Sequence, residues 1–500
     1  MPDDIEVFAR QFESSIPEGA HQNAGHFWIR APLLGQPKGQ PAFYSVQLNP
    51  TALRQWLLDP QSGHNALRQQ LGPLFVSRLD GPTRIELTEP KISGDLQERP
   101  QNHLWALLQD DNARAQVRTM THDAFGLHFT LDATGIKTFR IRLSATAPHD
   151  ASEEQSFDKR ARDFQARATP IEDFSDGVRA FLGLISAIVS LPSRTMLIDE
   201  PEAFLHPPLA RRLGANLSRI ATERKLSLIT ATHSSDFLMG CMEAAPNVSV
   251  VRLTYENGVT TARALSSEDL QSMTLDPLLR STGVFRALFH RAVLVTEADP
   301  DRAFYDEMNR RLIRDNRGIA DGLFINAQNK QTIRRIVGPL RRLGIPAAAI
   351  VDLDIVKQQQ DVEMLLTACQ IPPNELISLE AERIQIADAF FSMPLLPDGR
   401  QPIKRLGVAA LSEPDRARAF GFIQSLRKYG VFIVEAGELE RWLPQLGVDG
   451  QKKDWIVDVF SAIGQDESDS DYLHAGTGDV WAFLDLIADW VNDPNRRGTL

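Results

Sequence analysis

Residues 195–207 read TMLIDEPEAFLHP, an apolar run that ends in two acids. This pattern predicts a buried strand of a parallel α/β sheet, with polar residues at its carboxyl end. Ligands of open α/β sheets bind outside the carboxyl ends of the strands. At that position Asp199 can hold a water bound to Mg²⁺, and Glu200 can orient the water that attacks a γ-phosphate.

Two further segments of this region point to the same kind of site. LSLITATHSSDF predicts a second strand with His233 at its end, where the imidazole can contact the same γ-phosphate. FSDGVRAFLGLISAIV places Ser175 and Gly177 at the start of an apolar helix, whose exposed N–H groups bind anions. Each feature alone is more often structural, as a helix cap or a surface residue. Their order and spacing together indicate a nucleotide site.

This stretch resembles the ABC/SMC/RecF-like ATPases. FSDG matches the signature motif, LIDEPEAFLHP matches Walker B with the D-loop, and ATHSSDFL matches the switch-histidine loop. The motif DEPExxLHP is typical of the stand-alone AAA-type branch of these ATPases. The resemblance implies ATP as ligand, Asp199 as the Mg²⁺ ligand, Glu200 as the catalytic base and His233 as the γ-phosphate sensor. It also implies self-association, because Ser175 and Gly177 of such proteins act on the nucleotide held by the other subunit.

The chain contains no GxxxxGK[ST] phosphate-binding loop. Its nearest approach, LLGQPKGQP at residues 33–41, lacks the spacing and the hydroxyl residue, and its prolines remove N–H donors that a phosphate nest needs. Either Met1 is an internal start and the loop precedes it, which the intact downstream motifs favour, or the lobe is degenerate. ATP hydrolysis by this chain is therefore not expected.

A second group of acids follows two apolar runs in the other half of the chain. VLVTEADPDRAFY places Glu297 at the end of its apolar run, and AAAIVDLDIV ends in Asp352 and Asp354. If the two runs are adjacent parallel strands, their carboxylates meet at one sheet edge. Hard oxygen ligands of this kind suit Mg²⁺ or Mn²⁺ and phosphodiester hydrolysis. Solvated loop acids are the alternative, which the spacing of Glu and Asp-x-Asp disfavours.

This region resembles a TOPRIM domain, whose pattern is a Glu at the end of one strand and Asp-x-Asp at the end of a later one. Glu297, Asp352 and Asp354 match that pattern. Asp301 matches the extra acid of the nuclease branch, whereas Ala298 stands where the family usually has Gly. An ATPase lobe followed by TOPRIM is similar to the OLD (overcoming lysogenisation defect) family of ATP-dependent nucleases. Such proteins commonly serve in defence against phage or mobile DNA.

Three further features bear on this site. GVFIVEAGELERWL resembles the acid-bearing strand that follows the TOPRIM core, which makes Glu438 and Glu440 candidates for a second metal; the first turn of an exposed helix is an equal alternative. Lys330 follows a predicted strand and is the candidate for stabilising developing negative charge. Basic runs suit a DNA backbone or, equally, a solvated helix face. Their members are Lys330, Arg334, Arg335, Arg341, Arg342, Arg310, Arg311, Arg314 and Arg317.

The organisation along the chain is that of an α/β protein. We predict an ABC-type ATPase lobe over residues 1–270 with a β-hairpin insert near 115–146, a TOPRIM parallel-sheet domain over 285–380, and a mostly helical region over 381–500. The segment at 150–165 is predicted to be a solvated linker or exposed helix. The chain has 500 residues, which favours several domains.

Bulk properties indicate a cytoplasmic protein. The two cysteines are far apart and form no disulfide framework or metal-ligand pattern, and no apolar run is long enough to span a membrane. A net charge of −11 argues against coating nucleic acid by charge alone but not against a nuclease, whose acids are offset by metal.

Three functions are weighed on these grounds. The first is an ATP-regulated, metal-dependent DNA endonuclease of the OLD type. The second is a non-enzymatic scaffold, in which a degenerate ATPase lobe dimerises and presents the second domain to a partner protein. The third, a nucleotide-binding subunit of a transporter, is disfavoured by the missing phosphate loop and by the carboxylate-bearing second domain.

Overall fold

The structure is a computed structural model that describes residues 27–32, 43–48, 76–97, 100–190, 195–245, 247–256, 258–281, 283–397, 399–448, 450, 452–468 and 470–499. The nearest match to a phosphate loop, at 33–41, lies outside these residues. The chain divides into two compact units, Met1–Val248 and Ser249–Leu500. Over the described ranges, no helix is long and apolar enough to cross a membrane.

The first unit is built from short strands and longer helices. Its strands are β1 (Phe27–Pro32), β2 (Phe43–Leu48), β3 (Val76–Leu79), β4 (Lys91–Ile92), β5 (His128–Asp132), β6 (Thr138–Ser144), β7 (Thr169–Pro170), β8 (Thr195–Asp199) and β9 (Ser227–Ala231). Its helices are α1 (Gly81–Glu86), α2 (His103–Gln109), α3 (Asp111–Phe125), α4 (Ala151–Gln155), α5 (Lys159–Arg167), α6 (Asp176–Ser190), α7 (Pro207–Arg224) and α8 (Ser235–Ala244).

The sheet that carries the predicted nucleotide residues is parallel. Strands lie in the order β3-β8-β9, with Leu79 opposite Ile198 and Ile198 opposite Thr230. Parallel neighbours need a crossover, and α7 supplies it between β8 and β9. Helix α6 is apolar around most of its circumference and buries residues from Ala180 to Val189 in the core of the unit. The predicted α/β alternation is confirmed here.

The predicted hairpin is confirmed in part. Strands β5 and β6 pair antiparallel, with Leu131 opposite Ile141, but residues 111–125 before them form helix α3 rather than strand. Asp110 caps that helix by accepting from the N–H of Ala113, and Gly126 ends it in a left-handed conformation. These local end signals override the alternating pattern.

The segment at 150–165 is not a solvated linker. It forms α4 and the start of α5, and Glu154 within it is buried. The Glu154 carboxylate pairs with Arg114 at 3.0 Å and with Arg118 at 2.7 Å. A buried carboxylate with two guanidinium partners and a backbone N–H donor from Leu131 is a packed part of the unit.

The second unit contains more helix. Its strands are β10 (Val251–Glu256), β11 (Val259–Ala264), β12 (Ala292–Thr296), β13 (Gly322–Asn326), β14 (Ala347–Asp352) and β15 (Val431–Val434). Its helices are α9 (Ser267–Leu275), α10 (Pro277–Ser281), α11 (Asp299–Arg314), α12 (Lys330–Arg342), α13 (Gln359–Ala368), α14 (Pro373–Phe391), α15 (Pro402–Leu406), α16 (Glu413–Arg427), α17 (Lys452–Ala462) and α18 (Asp479–Asn492).

A four-stranded parallel sheet in the order β13-β12-β14-β15 forms the centre of this unit. All residues of β12, β14 and β15 are buried, as expected for strands covered on both faces. The compact unit begins at Ser249, and the hairpin β10–β11 lies within it. The fourth strand comes from the range 381–500, which otherwise is mostly helical.

Arg341 ties the sheet to the end of the chain. Its guanidinium is fully buried, and burial lowers its pKa. It donates to backbone carbonyls of five residues, of which Tyr429 and Gly430 are adjacent in sequence and the others lie far apart. These are Ala347 at 2.9 Å, Tyr429 at 2.7 Å, Gly430 at 3.1 Å, Gly498 at 3.1 Å and Cys369 at 3.3 Å. One side chain therefore joins backbone carbonyls from four separate segments through charged donors.

Arg341→Ala is expected to lower the free energy of unfolding of this unit by about 3 kcal/mol or more, because several buried carbonyls lose a charged donor. Denaturant unfolding followed by tryptophan fluorescence measures the change. Arg342→Ala is the matched control on the same helix. Arg342 is exposed and paired with Asp269, so its loss should cost about 1 kcal/mol or less. Equal losses from the two variants would contradict the role of Arg341.

Candidate functional site

The carboxyl ends of β8 and β9 lie side by side, with Asp199 opposite Ala231 in the parallel register. The N–H of Glu200 donates to the carbonyl of Ala231 over 2.8 Å, which extends the pairing by one residue. Glu200 has a φ of +44°, in the left-handed region that non-glycine residues rarely adopt. His233 Nδ1 lies 3.1 Å from Glu200 Oε1. The two predicted catalytic residues of the lobe therefore meet directly after Asp199.

Glu202 is a member of this site that sequence analysis did not single out. Its side chain is buried and accepts from the Thr232 hydroxyl at 2.7 Å and from the N–H of His233 at 3.3 Å. The loop after β8 and the loop after β9 are thus joined through one carboxylate. Glu202 holds the backbone of His233 while Glu200 faces the His233 side chain. In the sequence, the second Glu of the DEPE motif was the feature that could have indicated the role of Glu202.

Arg84 is a second residue that was missed. It lies in α1, is almost completely buried, and donates to the carbonyl of Glu200 over 2.7 Å. Burial lowers its pKa, and the negative charges of Glu202, Asp80 and Asp199 act against that shift. Arg84 therefore places a positive charge behind the acids while fixing the strained backbone at Glu200. Arg84 lies 116 residues before Glu200 in the sequence, so no local sequence pattern indicates its role.

Ser175 and Gly177 lie at the start of α6, as predicted, with Ser175 exposed. A Cβ atom at Gly177 would lie 2.6 Å from the carbonyl oxygen of Phe204, so glycine is required for contact between the helix start and the loop after β8. A cleft of about 370 Å³ opens beside that loop. It is lined by Glu202, Ala203, Phe204, Leu205, Pro207, Ala210, His233, Ser234, Ser235 and Asp236.

The predicted carboxylates of the second unit also meet at a sheet edge. β12 and β14 are adjacent parallel strands, with Glu297 following one and Asp352 ending the other. The N–H of Asp352 donates to Glu297 Oε1 over 3.1 Å, which ties the two strand ends together. The expectation that these strands are neighbours is confirmed.

Two lysines balance the acids. The Lys330 ammonium lies in direct contact with Asp354 Oδ1 and 3.7 Å from Glu297 Oε1. Lys404 Nζ, from α15, lies 3.4 Å from Asp354 Oδ2 and 2.9 Å from Glu438 Oε1. Burial acts to raise the pKa of Asp354, but the two ammonium groups outweigh it and hold that pKa below its usual value. Lys404 carries no sequence motif and was missed.

Asp301 and Glu440 occupy different surroundings. Asp301 is buried in the first turn of α11. Burial raises the pKa of the neighbouring Tyr305 well above its usual value, and the charges of Asp301, Asp352 and Glu297 add to that shift. Glu440 lies in the one-turn helix at 439–441 and is half-buried. Glu438 connects to Asp354 through Lys404.

Carboxylate oxygens on adjacent strand ends are a donor set that suits a hard divalent cation. In the part of the chain that the structure describes, no three His, Cys, Asp or Glu side chains are arranged so that they could hold a metal ion. Lys330 lies between Glu297 and Asp354 and supplies positive charge at that point. The residues fit a divalent ion in their chemistry, provided that the Lys330 side chain swings aside.

Two members of the predicted basic runs are buried, and most of the others are paired with acids. Arg311 is buried and donates to carbonyls of Ile463, Leu473 and Gly464, and Arg341 is buried as described. The remaining members with an acidic partner are Arg310 with Asp306, Arg314 with Glu467, Arg317 with Asp485, Arg335 with Asp276 and Arg342 with Asp269. Arg311 and Arg341 therefore support the unit itself. The side chains of Arg310, Arg314, Arg335 and Arg342 stay 46–68% exposed.

The family described as "AAA domain, putative AbiEii toxin, Type IV TA system" matches residues 43–240. The chain carries an AAA-type ATPase domain. The match includes every predicted nucleotide residue and ends before the acids of the second unit. No curated protein matches the chain in sequence.

Heads of SMC ATPases are among the similar solved structures. A head bound to the C-winged helix domain of ScpA is 12% identical, with 53% of this chain and 85% of that chain covered and a TM-score of 0.29. An SMC head domain from Thermotoga maritima is 14% identical, with 50% and 77% covered and a TM-score of 0.25. A structure on ATP-driven dimerisation and DNA-stimulated activation of SMC ATPases is 15% identical, with 32% and 86% covered and a TM-score of 0.23. These TM-scores are low, so the assignment of the AAA-type domain depends on the family match.

Glu202→Ala should loosen the switch loop of the AAA-type domain. Loss of a charged acceptor, about 1.5–3 kcal/mol, should raise amide exchange at His233 roughly 10-fold or more, measured by hydrogen–deuterium exchange. Thr232→Val removes the hydroxyl that bonds Glu202 and also accepts from the N–H of Ser234 at 3.0 Å, so it should act in the same direction. Glu243→Ala, which removes a surface ion pair with Arg211, is the control and should leave the loop unchanged. Unaltered exchange in Glu202→Ala would refute the coupling.

Proposed function

We propose that this protein is an ATP-regulated, metal-dependent DNA endonuclease of the OLD type. In this proposal the ATPase lobe spans residues 1–270, a TOPRIM domain spans 285–380, and a mostly helical extension spans 381–500. The observation that carries it is the meeting of Glu297 and Asp352 on neighbouring parallel strands, with Asp354 linked to Glu297 through Lys330. An active site of this kind in the same chain as an AAA-type ATPase domain supports a nucleotide-controlled nuclease.

The acids have distinct parts in this proposal. Glu297, Asp301, Asp352 and Asp354 would hold Mg²⁺ or Mn²⁺, with Glu440 as a further predicted ligand. When bound, such an ion activates water and neutralises charge on the phosphate. The N–H of Asp352 orients the Glu297 carboxylate. Lys330 would move from the acids to a phosphate oxygen, where its charge stabilises the developing negative charge.

In this proposal the ATPase lobe regulates the nuclease and does not itself cleave DNA. ATP with Mg²⁺ would bind at Asp199, with Glu200 as base and His233 as γ-phosphate sensor. Ser175 and Gly177 would complete the site of a second copy, since the start of α6 is exposed. A cytoplasmic role in defence against phage or mobile DNA, and contact with a partner protein, are parts of the proposal that follow from the OLD resemblance alone.

DNA is the proposed substrate. Since most of the arginines in the basic runs are buried or paired, the lysines at the acidic edge are the better candidates for backbone contact. Lys330 and Lys404 lie beside Asp354, where a scissile phosphate would have to sit. Specificity for a DNA structure would then come from elsewhere on the protein.

Asp354→Ala should reduce nicking of supercoiled plasmid in Mg²⁺ or Mn²⁺ by roughly 100-fold or more, because a charged ligand is lost. Glu297→Ala should have the same effect, and Glu440→Ala a smaller one. EDTA should abolish cleavage. Asp299→Ala is the matched control, since Asp299 begins α11 two residues after Glu297, is exposed and pairs with Arg302. Equal cleavage by wild type and Asp354→Ala would show that the cleavage does not occur at the site that contains Asp354.

ATP with Mg²⁺ should shift the chain, or its mixture with a longer copy that has a phosphate loop, towards dimers. Ser175→Arg should prevent the shift, because the exposed start of α6 would carry a bulky cation where a second copy docks. Static light scattering at tens of micromolar measures the mass. Glu172→Arg, an equally exposed change nearby, should dimerise as wild type does. A strictly monomeric wild type in all conditions would exclude the ABC-like arrangement.

The scaffold alternative has one specific observation in its favour. Both oxygens of Asp354 already face ammonium groups, so the acids are balanced without metal. If the protein is a scaffold, plasmid cleavage and divalent-ion binding should not depend on Asp354. Dimerisation should remain.

A further inference from the structure

Lys404 stands between two carboxylates of the acidic edge. Its Nζ lies 2.9 Å from Glu438 Oε1 and 3.4 Å from Asp354 Oδ2. A bridging position between two carboxylate oxygens is one that a second divalent ion takes in sites with paired ions. Here an ammonium group occupies it.

The backbone holds Lys404 in this position. A Cβ at Gly437 would lie 2.6 Å from the carbonyl oxygen of Lys404, and Gly437 has a φ of +109° that favours glycine. Helix α15 therefore lies directly on the turn that precedes Glu438. The N–H of Val408 donates to the carbonyl of Glu435 over 3.0 Å and fastens the other end of α15. Lys404 and Glu438 thus belong to one packed substructure.

Lys330 is anchored differently. It is the first residue of α12, and the cap of that helix comes from the Asn329 side chain, which accepts from the N–H of Thr332. Its long side chain reaches Asp354 and Glu297 without a comparable backbone contact to either acid. The backbone of Lys404 is therefore tied to the turn that carries Glu438, whereas the backbone of Lys330 is held by the cap of its own helix.

We propose that Lys404 is a built-in cation of the acidic edge that replaces a second divalent ion between Asp354 and Glu438. The acids would then take one divalent ion per chain, with Glu297 and Asp354 among the residues that hold it. This rests on the proposed function in so far as the acids bind a metal at all. A divalent ion placed between Asp354 and Glu438 would meet the ammonium at contact distance, and like charges in so short a gap exclude each other.

Lys404 also has the chemistry to act on the substrate. An ammonium group has three N–H donors, and two are directed at the carboxylates. The third is available to a phosphate oxygen, and the side chain is 42% exposed. Lys404 would then stabilise charge on the leaving oxygen, the part that a second metal ion has elsewhere.

The test is the number of Mn²⁺ ions bound by the full chain without nucleotide, measured by titration calorimetry and by electron paramagnetic resonance. Ions bound elsewhere are subtracted with Asp354→Ala, which removes the shared ligand. Wild type is expected to bind one Mn²⁺ at the edge. Lys404→Met, which keeps the alkyl stem and removes the charge, should bind two, with a spin-coupled spectrum. Lys404→Arg should bind one, and Lys404→Met with Glu438→Gln should return to one.

The outcomes separate the two proposals. Two ions in wild type, one of which is lost in Glu438→Gln, would overturn the role of Lys404 and leave the metal-dependent nuclease intact. An unchanged count in Lys404→Met with a native circular dichroism spectrum would do the same. No Mn²⁺ at the edge in wild type or in Lys404→Met would overturn the proposed function itself and this inference with it.

Discussion

Parallel pairing of neighbouring strands is the constraint on which both candidate sites depend. β8 lies beside β9 in the first unit, and β12 lies beside β14 in the second. Strands that run the same way present their carboxyl ends at one edge, so residues separated by a helical crossover come within hydrogen-bond distance. Glu200 meets His233 in this way, and Glu297 meets the N–H of Asp352. The same constraint brings like charges together, and each unit must offset their repulsion.

The two units offset the repulsion between their acids by different means. In the AAA-type domain, Glu202 is buried among donors from Thr232 and His233, and Arg84 adds a buried cation behind the loop. These groups are fixed, which suits a site whose ligand is a large anion. At the acidic edge the balancing charges are lysines with partly exposed side chains. A long flexible cation can be exchanged for a metal ion or a phosphate, whereas a buried guanidinium cannot.

Close contact between backbones sets the finer geometry in both places. Gly177 lets α6 touch the loop at Phe204, and Gly437 lets a turn lie against Lys404. In each case a Cβ would lie 2.6 Å from a carbonyl oxygen of the other segment, so the two segments would have to move apart. These close backbone contacts are possible because glycine has no Cβ, and they do not depend on a hydrogen bond.

The sequence by itself determined the α/β class, the two groups of acids and their position at strand ends, because apolar runs, helix caps and strand-end residues are local patterns. It misassigned the segment before β5, where the caps of α3 prevail over alternation, and it treated Glu154 and Arg341 as surface charges. Only the tertiary structure decided which cation faces which acid. Glu202, Arg84 and Lys404 acquire their roles from segments far away in the chain, and no local pattern records a contact that packing alone creates.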